Sequence, residues 1–215
     1  MTATPRVFSQ KVSKTAVDRG EIMHGMDDPE IFGPEIYRYT FGMAIEEGWL
    51  SDYQVMVVLV DEPMVKQLID DHQFVSLEGD EATNAKSLAS KIGLIKAIKE
   101  YELKRIISFH NKVRNAKNFS TEFTEVISSL GSSAQPTGNI WTGFVSGEMN
   151  AGERKRKLDK LKDLGSHDIG ILSNARCLSE GVDVPELDGI AFIDPKASQI
   201  DIIQAVGRAI RLSKN

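Results

Sequence analysis

One cysteine, Cys177, stands alone in a chain of 215 residues. With no second thiol to meet, it makes no intrachain disulfide, and a reducing compartment is the expectation. Positive charge is also scarce: 26 Lys and Arg against 31 Asp and Glu leave a net charge of −5. The chain therefore lacks the global basic field that draws in nucleic acid, although local patches remain open to it. No apolar run is long enough to span a bilayer, and the opening "MTATPRVFSQ" has none of the apolar stretch of a secretory signal. These absences predict a cytoplasmic protein with no membrane partner. Missing too is any G-x-x-x-x-G-K-[ST] loop, the Gly-rich cradle whose lysine reaches the phosphates of a nucleotide. Repeats and low-complexity tracts are absent.

What is present is enough to build a core. Hydrophobic residues make up 41% of the chain and charged residues 27%, which suits one large domain, or one domain with part of another. Residues 18–35, "DRGEIMHGMDDPEIFGPE", are rich in Gly, Pro and acids and read as a loop or linker. From residue 53 onward, apolar strands and helical stretches alternate. "YQVMVVLV" (53–60) predicts a strand and residues 84–101 a helix. "KRIISF" (104–109) predicts a strand, followed by a helix ending at Gly131. "NIWTGFV" (139–145) is a strand, then a helix covers 151–164, stopped by Gly165. "DIGIL" (168–172), a short helical stretch, "GIAFI" (189–193) and a last helix over "QAVGRAIR" (204–211) close the series. This alternation predicts an α/β fold with a mainly parallel sheet flanked by helices.

Ligands of such sheets bind beyond the carboxyl ends of the strands. There the sequence places "HNKVRNAK", with His110, Asn111, Lys112, Arg114 and Lys117, and "SGEMNAGERKRK", with Arg154 to Lys157. Basic residues at helix starts suit phosphates; they suit a solvated, charge-mixed helix face equally well. In "SNARCLSEGVDVP" a hydroxyl and an amide, Ser173 and Asn174, follow directly on a buried strand. A Gly-x-Asp-x-Pro turn then holds Asp183, fit either to accept a sugar hydroxyl or simply to shape the turn. In the last helix Ile202, Ile203, Val206, Ala209 and Ile210 share one face, while Gln204, Gly207, Arg208 and Arg211 share the other. That polar stripe either presents two fixed guanidinium groups to a ligand or is an ordinary solvated face.

Taken together, "ILSNARCLSEGVDVP" and "QAVGRAIR" resemble motifs V and VI of superfamily 2 helicases and translocases. "RIISFHNKVRNAKNF" is similar to motif IV, "GEMNAGERKRKLDKL" to the segment after it, and "TATPR" (2–6) to motif III. The "FGMAIEEGWLSDY" stretch (41–53) is similar to the restriction-type, DEAD/DEAH-like group. The resemblance implies that residues 1–50 are the tail of a first motor lobe and the interlobe linker, and that 51–215 form the C-terminal RecA-like lobe. It implies that Arg208 and Arg211 approach the γ-phosphate of ATP, with Gln204, Gly207, Gly181 and Asp183 at the nucleotide. Ser173, Asn174, His110, Asn111 and Arg154 would then meet DNA (or RNA). ATP and Mg²⁺ would be held mainly by the N-terminal RecA-like lobe of the same protein. "VMVVLVDE", ending at Asp61 and Glu62, has the shape of a magnesium-binding strand end but lies after the motif III match. "DEAT" (80–83) almost spells a DEAD box but follows no long buried strand. The competing expectation is a non-catalytic, Rossmann-like module whose arginines bind a phosphorylated ligand or a protein partner.

Overall fold

The structure is a computed structural model that describes residues 7–8, 10–60, 63, 65, 81–175, 177, 187–195, 202–203 and 205–207. The chain separates into two compact units, Met1–Gly48 and Trp49–Asn215. The first holds three short helices, α1 (Gln10–Asp18), α2 (Pro29–Phe32) and α3 (Phe41–Glu46). Two of these helices start where a side chain accepts an otherwise unpaired N–H. Asp28 caps α2 through the N–H of Glu30, and Thr40 caps α3 through that of Met43. The segment 18–35 is mostly irregular, with α2 set inside it.

In the second unit the described elements include α4 (Glu81–Glu100), β1 (Arg105–His110) and α5 (Val113–Ser129). It continues with β2 (Asn139–Ser146), α6 (Ala151–Lys162), β3 (Asp168–Ala175) and β4 (Gly189–Phe192). The strands form one sheet in the order β2-β3-β1-β4, and every pairing is parallel. The α/β expectation is thus met, with four strands among the described residues.

Strand periodicity assigns the two layers. Ile106, Ile169 and Ile171 pack with Phe119, Phe123 and Val126 of α5 and Ile92, Ile95 and Ile98 of α4. Their neighbours Ile107 and Leu172 point the other way, onto Leu158 and Leu161 of α6. Helices α4 and α5 therefore cover one face of the sheet and α6 the other. Gly170 permits the close approach of α6: a Cβ there would meet Leu164 Cδ1 at 2.2 Å and Leu161 Cδ1 at 2.5 Å. Arg105 fastens the far end of that helix by donating to the carbonyls of Leu161 (3.2 Å), Lys162 (3.3 Å) and Leu164 (3.0 Å). These orphan carbonyls at a helix C-terminus are natural acceptors for a cation.

Two carboxylates fix the short strand β4. Asp188, just before it, accepts from the backbone N–H groups of Lys104 and Arg105, both at 2.8 Å. Asp194, just after it, accepts from the backbone N–H of Asn111 at 2.8 Å.

Several sequence expectations need correction. Residues 53–60, expected as a strand, are irregular and join no ladder, and a strand is defined by its partner's hydrogen bonds. Helix α5 ends at Ser129 with Leu130 as its cap, one turn of 3-10 helix following Gly131. Helix α6 ends at Lys162, before Gly165, whose N–H bonds the Asp168 carboxylate at 3.0 Å instead of capping the helix. Helix α4 begins at Glu81, three residues early. In the final helical stretch Ile202 and Val206 are partly buried as expected, whereas Ile203 is 42% exposed and Ala205 is buried, so among the described residues Ile203 leaves the expected apolar face.

Candidate functional site

The carboxyl ends of β1 and β3 lie side by side, with His110 opposite Ala175 and Ser108 opposite Ser173. The strands put alternate residues on opposite faces, so Ser108, His110 and Ser173 fall on the α5 face and Asn174 on the α6 face. The Ser108 hydroxyl sits 3.1 Å from His110 Nε2 and donates to Ser173 Oγ at 3.1 Å. All three side chains are buried, and the imidazole rests against the Phe119 ring with centroids 4.9 Å apart. A buried polar chain of this kind is stable only when its members satisfy one another.

On the other face Asn174 turns its side-chain oxygen to the loop that follows. Oδ1 accepts from the backbone N–H of Cys177 at 3.3 Å and from its thiol at 3.0 Å. That is a local side-chain-to-backbone bond of the type that shapes turns. Arg154, in the first turn of α6, donates to the Met149 carbonyl. The helix itself is capped by Asn150, whose Oδ1 accepts from Glu153 N at 2.8 Å. Asn111 lies exposed at the end of β1, held by Asp194 and by a side-chain bond to the Pro195 carbonyl at 3.4 Å.

Of the residues expected to meet nucleic acid, the structure brings His110 and Ser173 together, with Asn174 and Asn111 beside them. It turns His110, Ser173 and Asn174 inward and leaves Asn111 outward. Gly207, partly buried, closes the last described helical stretch. Gly181, Asp183, Gln204, Arg208 and Arg211 lie outside the described residues, as do Asp61 and Glu62. Sequence reasoning missed Ser108, Phe119, Cys177 and Asp194. Ser108 had a signal: it is a hydroxyl at a period-2 position from His110 within an otherwise apolar strand.

Burial pushes the Cys177 thiol up from 9.0 to about 11, against a smaller downward pull from the charge of Arg154. The native state thus holds this proton more tightly than the unfolded chain. The associated stabilisation is complete below about pH 9 and is lost as pH rises toward 11. Alkylation of Cys177 in native protein is therefore expected to stay slow at pH 8 and to accelerate only above pH 10. A native rate at pH 8 equal to that of a free thiol, measured by mass spectrometry against unfolded chain, contradicts this.

Residues 90–213 match the family described as "Helicase conserved C-terminal domain", more than half of the chain. The chain belongs to that family. It is similar to "Probable helicase A859L" of African swine fever virus: 25% identical over 200 residues in the isolate Pig/Kenya/KEN-50/1950, covering 91% of this chain and 20% of the relative. Among solved structures it resembles "ATP-dependent Type ISP restriction-modification enzyme LlaBIII bound to DNA", with 30% identity and a TM-score of 0.72, over 90% of this chain and 13% of that one. A Vibrio vulnificus fragment of a type I restriction enzyme HsdR subunit shares the fold, with 22% identity and a TM-score of 0.56, over 87% of this chain and 34% of that one. This helicase domain spans about a fifth of the length of the curated relatives it matches. Its fold is that of the RecA-like C-terminal lobe of superfamily 2 helicases of the restriction type. Among the described residues, no helix is long and apolar enough to cross a membrane.

Proposed function

We propose that the domain is the second motor lobe of an ATP-dependent helicase or translocase acting on DNA. The supporting observation is the joined end of β1 and β3, where a buried Ser–His–Ser chain links the two strand ends at the carboxyl edge of a parallel sheet and Asn174 bonds Cys177 in the segment that follows. In this reading the inward residues His110, Ser173 and Asn174 position the loops, and backbone groups, the exposed Asn111 and the neighbouring exposed Lys112 and Arg114 meet the nucleic acid. Asn174 also bonds Cys177 at the start of the segment leading to Gly181 and Asp183, which in this reading serve the nucleotide. Arg208 and Arg211 supply positive charge where the γ-phosphate develops negative charge. Among the described residues, no three His, Cys, Asp or Glu side chains gather to hold a metal. In this reading, magnesium and most ATP contacts belong to the first lobe.

The reading is tested by the binding of a labelled DNA oligonucleotide to the chain across a salt series. A net charge of −5 leaves only local patches to neutralise phosphates. With about three phosphates engaged, affinity falls on the order of 10- to 100-fold between about 50 and 200 mM salt. Replacing Lys112 and Arg114 by alanine flattens that slope. Absence of DNA binding at low salt, or a slope unchanged in the double variant, overturns the assignment of this edge to nucleic acid.

A further inference from the structure

Among the described residues, the buried polar side chains include one lysine, Lys91 of α4, 2% exposed. Its ammonium donates to Ser87 Oγ, one turn back in the same helix, at 2.7 Å, and to the Glu122 carboxylate of α5 at 2.8 Å. It also lies over the Phe119 ring, 5.5 Å from the centroid. Glu122 keeps 35% of its side chain exposed, so the carboxylate stays in touch with water while the ammonium does not.

Stability alone does not account for a cation in this place. Taking an ammonium out of water is costly, and apolar side chains of similar volume at such positions are often as stable or more so. The surroundings are already apolar: Leu88, Ile92 and Ile95 of α4 belong to one core cluster with Phe119, Phe123 and Val126 of α5. What an apolar contact does not give is direction. Cores filled without specific contacts lose a unique arrangement before they lose stability. Directed bonds supply that uniqueness, because the ammonium reaches Ser87 and Glu122 together in one placement of α5 on α4. Fixing register in this way is the best-attested use of a buried polar group.

The placement of α5 matters at the start of the helix. Phe119 and Glu122 are three residues apart and so share a face. The Phe119 ring meets the His110 imidazole at 4.9 Å, and His110 is bonded through Ser108 to Ser173. Contact therefore runs without a break from Lys91, through Phe119 and His110, to the end of β3. Only Asn111 and Lys112 separate β1 from α5, so any shift of the helix is handed directly to them and to Arg114. Phosphates along one DNA strand rise about 3.4 Å apart. One helical turn is about 5.4 Å, so a shift well short of a turn already moves the basic pair to the wrong phosphate.

We propose that Lys91 is a positioning residue for the edge at the ends of β1 and β3. Through Glu122 and Phe119 it holds α5 in one placement and thereby sets where Asn111, Lys112 and Arg114 stand. The lock rests on the contacts alone; its consequence for DNA rests on the function proposed above.

The test replaces both partners in the full chain, Lys91→Met with Glu122→Leu, so that no lone charge is left behind. Net charge is then unchanged, and long-range attraction of DNA with it. The double variant is expected to melt within about 5 °C of wild type. Its His110 imidazole signal, followed by NMR without DNA, should broaden or divide, because the adjacent Phe119 ring takes more than one placement. One sharp His110 signal, shifted or not, overturns the lock. A larger fall in melting temperature overturns it too, by making the pair a stability element. A labelled DNA oligonucleotide at low salt reads the consequence: with Lys112 and Arg114 in place, the double variant binds about tenfold more weakly. Unchanged affinity beside a divided His110 signal overturns the positioning of the edge. No binding by wild type defeats the function proposed above, and this consequence with it, while the His110 signal still decides the lock.

Discussion

Alanine at Arg208 or Arg211, in a motor completed by its ATP-binding lobe, lowers ATP turnover on the order of 10³-fold. A guanidinium aimed at the transferred phosphoryl group acts where charge builds up, so its loss falls on turnover and spares nucleotide binding. Lysine is a poor substitute, because a point charge cannot reproduce the planar fork of donors. Stability should shift by less than about 0.5 kcal/mol, since both arginines lie on the polar side of the sequence pattern. Steady-state ATPase with saturating DNA, beside thermal melts of each variant, is the measurement. Near-normal turnover defeats the arginine-finger reading, and a large drop in melting temperature makes the arginines structural.

Phe119→Ala produces the largest expected loss of stability. The ring is 2% exposed and lies 5.3 Å from Phe123 and 4.9 Å from His110, centre to centre. It also sits 5.5 Å from Nζ of Lys91, a buried cation that bonds Ser87 at 2.7 Å and Glu122 at 2.8 Å. Truncation opens a cavity and costs about 3–5 kcal/mol. For a unit of this size that is a fall of about 10 °C in melting temperature. The variant should also lose order at the His110 ring, visible as broadened or shifted imidazole resonances. A fall of under about 3 °C with an unchanged His110 signal would show that the cluster does not depend on this ring.

Much of this architecture was legible in the residues. "KRIISF", "NIWTGFV", "DIGIL" and "GIAFI" are compact apolar runs between helical stretches, and each holds a strand, shifted or extended by a few residues at its ends. The apolar spacing of α5, Ala116, Phe119, Phe123, Val126 and Ile127, is the buried face observed, with the polar Ser120 buried among them. "YQVMVVLV" reads equally well as a strand, yet it joins no ladder, because apolar pattern fixes a residue's preference and not the presence of an edge to pair with. The polar residues at the ends of β1 and β3 were also visible as polar. Their inward orientation was not, because it depends on which helix covers which face. Lys157 shows the same limit. It stands in a basic run that promises phosphate contacts, and the fold spends it on the Phe144 carbonyl and ring.

Arg105 has a mechanical consequence. Its guanidinium reaches three carbonyls at the end of α6 from the first residue of β1, an inner strand of the sheet. Several charge-assisted bonds in parallel resist shear far better than a single one, because no bond stretches without its neighbours. A push delivered to the end of α6 is therefore shared with an inner strand of the sheet, and sliding of the helix along the strands would have to break these bonds. Stiffness of this sort is what lets a small displacement at one end of a lever appear undiminished at the other.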